Sequence, residues 1–523
     1  MQEYMMLVSL QHQSSSCRLM CLSKLLASAA VVAYMLMMDQ MTYAQAASNT
    51  DFINCNDPCN GGDVNYELVA SIRTMPMQAV EPGTYNVKDY IYRGRTYSKP
   101  GSDTFMGETM HVKPGQSLWI KLINNMYSEE TERGGEDDGD PISSTGPTVQ
   151  DYWNMLQNPG ERIKYQYYKK SVDSPDKMIV DWPNIPKHFD STNLHLHGLD
   201  VEVHMFDPVN TSNPDAPHIS IDPGQCYCYK FNIPKHQPDG LYWYHPHLHG
   251  ATAIQIWGGM LGLLYVHGVF EEELLKYNIV NTHEFVIWDP AFRVVENKKS
   301  HELEVDEFLK GQTTLSKIHP FLVNGKLTPN FDNVGVGEVL HFRALCGTIE
   351  NENTFIVYKQ GEENLDWNEV AIPFYIVASD GVTYNSKPKK HNIIIMAGGQ
   401  REEIFLQFEE PGTYVISQQG IQGMQFFDMY GHPHDQILAT ITVVEKENPV
   451  LPTVPISEMV FTPGYRDDEK IQSTDIVKTE TIVFSMGANR NEVSTILLLL
   501  QKSSLVELYS AWHLPLKSLH LKM

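Results

Sequence analysis

Positive charge is scarce in this sequence of 523 residues, which has 39 Lys and Arg against 64 Asp and Glu. The net charge of −25 disfavours nucleic acid and anionic membrane surfaces as partners. No stretch of about 18 consecutive apolar residues occurs, so the sequence predicts no membrane-spanning helix. Long stretches with a helical period of 3.6 residues are also few, which argues against a helical fold.

The first 46 residues have the features of a secretory signal peptide. Arg18 and Lys24 precede an apolar run from Leu25 to Met38, which is short for a membrane span but suits such a peptide. Small residues around Ala44 then offer a cleavage site. The alternative is a buried N-terminal helix. We expect residues 1–46 to be removed and the mature protein to be secreted.

Cysteine is used sparingly, and removal of the N-terminal segment leaves five: Cys55, Cys59, Cys226, Cys228 and Cys346. Together with a glycosylation sequon at Asn210, they fit an oxidising, extracellular route and a glycoprotein. Cys226 and Cys228 share one face of a predicted strand, so we expect them to bond elsewhere, with Cys55 and Cys59 as candidates. Spacing does not fix the connectivity, and metal binding by these four is an alternative.

Short alternating segments separated by Gly, Pro and Asn are frequent and predict an all-β fold of β-sandwich domains. Five segments rich in β-branched or aromatic residues are strand candidates: Ser117–Asn124, Cys226–Phe231, Phe285–Trp288, Ile393–Met396 and Ile404–Phe408.

An internal repeat indicates two domains with one plan. The segment 114–121 matches 336–343, and 240–247 matches 412–419, where Ser417 and Gln419 replace two histidines of the first copy. We predict a first domain at residues 50–270 and a second at 280–447. Residues 450–523 hold a linker and a partial third copy. Its strand pattern is lost after about Val493, which predicts a truncated or misassembled coding sequence or a genuinely shortened protein.

Two His-x-His motifs carry the chemistry. They are Asn193–Leu199, which contains His195 and His197, and Tyr242–Gly250, which contains His245 and His247. In a strand, residues i and i+2 face the same side roughly 6–7 Å apart, so each motif presents two imidazoles to one site. Two neighbouring strands then offer four converging nitrogens, a donor set suited to copper, zinc or iron.

These motifs resemble those of the multicopper oxidases, the laccase-like family built from cupredoxin domains. The resemblance covers roughly residues 50–447 and implies tandem Greek-key cupredoxin-like sandwiches with copper as cofactor. By this resemblance, His195 ligates a type 2 copper, and His197, His245 and His247 ligate the type 3 pair; His249 is not counted as a ligand. The implied reaction is one-electron oxidation of a small-molecule or metal-ion reductant coupled to reduction of dioxygen.

The sequence departs from the family in its last part. No His-Cys-His motif occurs, so the ligands of the type 1 copper and half of those of the trinuclear cluster are missing. We therefore predict an oxidoreductase by descent that lacks full oxidase activity as written. The main alternative is a non-catalytic, secreted copper-binding protein. A purely structural β-sandwich and a zinc hydrolase using Asp200 or Glu202 as base are further alternatives.

Overall fold

The structure is a computed structural model. It describes residues 52–80, 87–99, 106–126, 189–202, 204, 219–290, 292–294, 299–302, 317–318, 321–349, 352–362, 367–418, 436–464, 476–485 and 493–501. The predicted signal peptide at 1–46, its cleavage site and the sequon at Asn210 lie outside these residues. Contacts group the chain into two compact units, Met1–Phe461 and Thr462–Met523.

The first part of the chain consists mainly of strands with two short helices. The elements are β1 (Phe52–Ile53), β2 (Val64–Val80), β3 (Val87–Ser98), β4 (Met110–Val112), β5 (Ser117–Asn125), β6 (His195–His197), β7 (Cys226–Asn232), β8 (Gly240–His245), α1 (Thr252–Gly258), β9 (Gly262–Val266) and α2 (Val269–Lys276).

Strands also dominate the middle of the chain. The elements are β10 (Asn281–Trp288), β11 (Phe292–Val294), β12 (Lys299–Glu302), β13 (Lys317–Ile318), β14 (Leu322–Val323), β15 (Asn330–Gly335), β16 (Val339–Cys346), β17 (Asn353–Lys359), α3 (Trp367–Val370), β18 (Phe374–Ser379), β19 (Val382–Thr383), β20 (Lys389–His391), β21 (Ile393–Met396), β22 (Arg401–Gln407), β23 (Gly412–Gln418) and β24 (Gln436–Val444), followed by a 3₁₀ turn at Ile456–Glu458.

Two β-sandwiches account for these strands. The first sandwich packs a sheet of order β1-β7-β5-β2-β3-β12-β11-β13 on one of order β4-β9-β8-β6. The second packs a sheet of order β14-β10-β16-β22-β18-β19, with β20 beside β18, on one of order β15-β24-β23-β17-β21. Each encloses a core of alternate residues, such as Leu118, Ile120 and Leu122 of β5. The predicted all-β sandwich fold is confirmed.

The internal repeat is visible in the strand pairing. β5 is parallel to β2 and antiparallel to β7, and β16 is likewise parallel to β10 and antiparallel to β22. The turns that precede β5 and β16 have their glycines, Gly115 and Gly337, at φ 84° and 79°. This left-handed conformation strains any residue with a Cβ atom. The matched sequence segments therefore fold into equivalent strands.

A third hydrophobic cluster joins the two sandwiches. Leu241, Trp243 and Leu263 of the first sandwich pack with Val286 and Trp288 at the start of the second. Because β8 alternates, Tyr242 and Tyr244 face the core of the first sandwich while Trp243 and His245 face away from it. This alternation decides on which side of β8 the histidines lie.

Two disulfides tie the N-terminal segment to β7. They join Cys55 to Cys226 and Cys59 to Cys228, which agrees with the expectation that the two cysteines of β7 bond elsewhere. The four thiols are therefore not available as metal ligands. The remaining described cysteine, Cys346, is buried in β16.

The second unit contains one described strand pair. β25 (Ile476–Ser485) is antiparallel to β26 (Val493–Gln501). The first of these lies in the part of the predicted third copy where a strand pattern is still present. The second was not predicted, because the apolar run within it does not alternate. Among the described residues of the whole chain, no helix is long and apolar enough to cross a membrane.

Candidate metal centre

The candidate centre lies at the edge of the four-stranded sheet, where β6 pairs with β8. His195 is directly opposite His245, and His197 is opposite Trp243. Because successive residues alternate between faces, these four side chains lie on one side of the sheet, while Leu196 and Tyr244 are buried on the other. The pairing register thus converts the two sequence motifs into one cluster.

Three histidines form the close group. One ring nitrogen from each of His195, His197 and His245 can be chosen so that all three lie within 4.8 Å of one another. His197 Nδ1 and His245 Nε2 are only 3.1 Å apart. Nitrogen ligands about 2.0 Å from one ion lie at similar separations, so the arrangement suits metal binding.

His247 lies beside this group. β8 ends at His245, because Pro246 has no N–H to continue the hydrogen bonds between the strands. The sequence predicted a strand that carries both His245 and His247, but His247 lies just beyond its end. The backbone N–H of His247 donates to Asn193 Oδ1 at 2.6 Å, and its ring centroid is 5.2 Å from that of His195. Its Nδ1 is buried and has no hydrogen-bond partner within the described part of the chain.

Hydrogen bonds orient the ring of His245. Its Nδ1–H donates to the carbonyl of Pro246 at 2.8 Å, which turns Nε2 toward His197. This is the arrangement in which one imidazole nitrogen is fixed by the backbone and the other is free to bind a metal. Trp243 completes the wall, since its ring stacks on His197 with centroids 5.0 Å apart.

Burial keeps the three imidazoles uncharged. It lowers the pKa of His195 to about 4, with His247 adding a smaller effect in the same direction. Burial, followed by the charge of Arg401, lowers the pKa of His197 to about 3. Burial also lowers the pKa of His245 well below its ordinary value. Neutral imidazole is the form that binds metal ions, so the cluster is prepared for a ligand role.

The second sandwich supplies a wall that the motifs do not reveal. A Cβ atom on Gly399 would lie 3.4 Å from His197 Cε1 and from Trp243 Cζ2, so the turn before β22 is in contact with the site. Arg401 lies behind Gly198, where a Cβ would approach its Nη2 to 2.6 Å. Gly198 has φ 87°, which lets the chain turn away after the first motif.

The carboxylates considered for a hydrolase do not complete this cluster. Asp200 Oδ2 is paired with His236 Nε2 at 2.9 Å, and Glu202 is exposed. Among the described residues, the group of possible metal ligands consists of imidazoles alone. An all-nitrogen donor set of this kind fits copper.

Comparison with known proteins finds similarity to one family in this part of the chain. A model described as multicopper oxidase matches residues 169–269, the stretch that contains all four histidines. The stretch of the chain that holds the four histidines is therefore similar to a multicopper oxidase domain. The cofactor of multicopper oxidases is copper, so the donor set and the family agree.

The relatives are distant. A multicopper oxidase of Staphylococcus haemolyticus is 26% identical over 222 residues, which are 42% of this chain and 42% of that protein. One from Staphylococcus aureus is 29% identical over 141 residues, or 27% of each chain. The matched stretches thus span less than half of these relatives.

A solved structure supports the fold of the multicopper oxidases. A variant of McoA from Aquifex aeolicus superposes with a TM-score of 0.51 at 16% identity, covering 83% of this chain and 71% of that one. The likeness extends over both sandwiches and confirms the cupredoxin fold expected from the sequence. At this identity it bears on the fold alone.

Next to Arg401, Glu402 leads to a prediction about pH. Burial raises the pKa of Glu402 to about 7, although hydrogen bonds from Ser379 and Gln400 act to lower it. Its folded pKa therefore exceeds the unfolded value, and stability falls as pH rises from about 4.5 to about 7. We expect Glu402→Gln to remove this fall. The free energy of unfolding of the variant, relative to that of the parent, should be roughly 2–3 kcal/mol more favourable to the folded state at pH 8 than at pH 5.

Urea unfolding at the two pH values measures this difference. Glu409→Gln, at an exposed position beyond the same strand, is the matched control and should show no comparable change. An equal pH dependence in the Glu402→Gln variant and the parent would rule out the buried carboxyl as its source.

Proposed function

We propose that this chain is a copper-dependent oxidoreductase of the multicopper oxidase type by descent, with His195, His197, His245 and His247 as its copper ligands. The observation that carries the proposal is the close group of three ring nitrogens on one face of the β6–β8 pair. His247 is included because its buried Nδ1 lacks a partner within the described residues and its ring adjoins His195.

Each residue has a task that follows from its contacts. Pro246 O fixes the ring of His245, and Asn193 holds the backbone of His247. Trp243 and Gly399 close the side of His197 and keep water away from it. When bound there, copper supplies one-electron chemistry that in this family ends with dioxygen. The proposed reductant is a small molecule or a metal ion.

We further propose that the polypeptide of these 523 residues binds copper without full oxidase activity. A type 1 copper site requires a cysteine thiolate. Four of the described cysteines are in disulfides, and the fifth, Cys346, is buried in the core of the second sandwich, where its Sγ contacts Thr348 Oγ1 and Met396 O. This observation favours the second candidate function, a non-catalytic copper-binding protein, for the chain by itself.

Copper titration with absorption spectroscopy tests both proposals. The chain is expected to bind copper tightly, to remain free of the intense blue colour of a type 1 centre, and to consume no oxygen with a phenol or ferrous iron. Tight binding with stoichiometric blue copper would refute the second proposal and leave the first intact. Absence of tight binding would refute the first.

Secretion and glycosylation are proposed as well. The two disulfides support an oxidising compartment, because such bonds persist outside the cytosol. Expression in a secreting eukaryotic host should give a protein whose mass falls on glycosidase treatment. A chain retained in the cell, or unchanged by the enzyme, would contradict this.

A further inference from the structure

A second pair of histidines lies on the first sandwich, away from the candidate copper centre. His111 is in β4, and His267 follows the last residue of β9. Their ring nitrogens, Nδ1 of His111 and Nε2 of His267, are 2.8 Å apart. The sequence motifs do not reveal this pair, because the two residues are 156 positions apart.

Sheet topology keeps this pair separate from the first centre. In the sheet order β4-β9-β8-β6, the second pair lies on β4 and at the end of β9, and the first centre lies on β8 and β6, so the two sites are about two strand spacings, or about 10 Å, apart across the sheet. Val266 pairs with Gly240, at the start of β8, whereas His245 ends that strand. The sites are therefore also about 17 Å apart along β8.

The pair has the surroundings of a metal site. Glu271 Oε1 lies 3.4 Å from Nδ1 of His267, the nitrogen on the side away from His111. Glu271 is itself fixed, because it accepts the backbone N–H of Gly268 at 3.0 Å and faces Arg343 Nη1 at 3.3 Å. A carboxylate that holds one imidazole nitrogen while the other faces a ligand is the usual second shell of a metal-binding histidine.

Access and charge also favour a cation. His111 is exposed, and the side chain of His267 retains 33% of its accessible surface. The carboxylates of Glu284 and Glu108 favour a positive charge at His111, whereas His267 and Arg343 oppose it. Rotating each ring slightly about its own Cβ–Cγ bond would turn both nitrogens toward one ion. Ligands about 2.0 Å from an ion are about 2.8–3.3 Å apart, close to the present spacing.

We propose that His111 and His267 form a second, surface site for a divalent transition-metal ion, with Glu271 as the positioning residue of His267. The ion replaces the proton that the two rings share, and solvent completes its coordination. The order of affinities for such a site places Cu²⁺ above Ni²⁺ and Zn²⁺. The proposal does not depend on copper binding at the first centre.

Calorimetric titration of Cu²⁺ into a chain whose first centre is blocked by His195→Gln and His245→Gln tests the site. One equivalent is expected to bind, and adding His111→Gln or His267→Gln should weaken it at least tenfold. Glu271→Gln should weaken it by about 10–100-fold while both ligands remain. His236→Gln is the matched control, since His236 is exposed and also paired with a carboxylate.

A second measurement needs no substitution. Cu²⁺ added to the unaltered chain should protect His111 and His267, but not His236, from diethyl pyrocarbonate, as read by peptide mass spectrometry. If His236→Gln weakens binding as much as His111→Gln, or if Cu²⁺ protects neither histidine, the site does not exist.

Discussion

The double substitution His195→Gln and His245→Gln should lower the affinity of the chain for copper by more than roughly 100-fold. Loss of a residue that only orients a metal ligand costs up to that much, and here two ligands are lost. The two substitutions remove two of the three ring nitrogens that lie within 4.8 Å of one another. Glutamine occupies a similar volume but offers an amide, a much weaker ligand than imidazole for copper. Competition with a chelator of known copper affinity gives the change.

His283→Gln is the matched control for this experiment. His283 is also a partly buried strand histidine, but it lies in β10 and its ring bonds to Asn281 Oδ1 at 2.8 Å. The His283→Gln variant should bind copper as tightly as the parent does. Thermal unfolding of the metal-free variant shows whether the substitution has affected folding. Equal affinities in the double variant and the control would mean that copper binds elsewhere.

Part of the site could be predicted from the sequence, because it depends only on the alternation of side chains along one strand. Alternation in a strand places His195 and His197 on one face, and the structure brings both together with His245. The glycines after the motifs adopt positive φ, 87° at Gly198 and 93° at Gly250, as a sharp turn requires. These features depend on residues close together in the chain.

Contacts over long sequence separations could not be predicted in this way. Gly399 and Arg401 come from the second sandwich, about 200 residues after His197, and nothing in their local pattern relates them to it. The limit of β8 was also missed, since the histidine spacing suggested a strand through His247 while Pro246 ends it. The domain ranges 50–270 and 280–447 stay a prediction. Strands β11, β12 and β13, which fall in the predicted second domain, join the larger sheet of the first sandwich.

Arg343→Met should destabilise the folded chain by about 3–5 kcal/mol, the usual cost of removing one partner from a buried ion pair. Arg343 Nε donates to Glu403 Oε1 at 3.0 Å, and the side chain of Glu403 is only 2% exposed. The guanidinium also lies 4.1 Å from the ring centroid of Tyr265, so it links the second sandwich to the first. Urea unfolding measures the loss.

The pH dependence of that loss identifies its source. Although burial opposes ionisation, Arg343 and His341 lower the pKa of Glu403. Without Arg343 the carboxylate is charged and poorly compensated at neutral pH, so the loss should shrink as pH falls and Glu403 takes up a proton. Adding Glu403→Gln to Arg343→Met removes the stranded charge, and the double variant should be more stable than the sum of the single losses implies. Strict additivity would mean that Arg343 stabilises the chain through its packing on Tyr265 rather than through its charge.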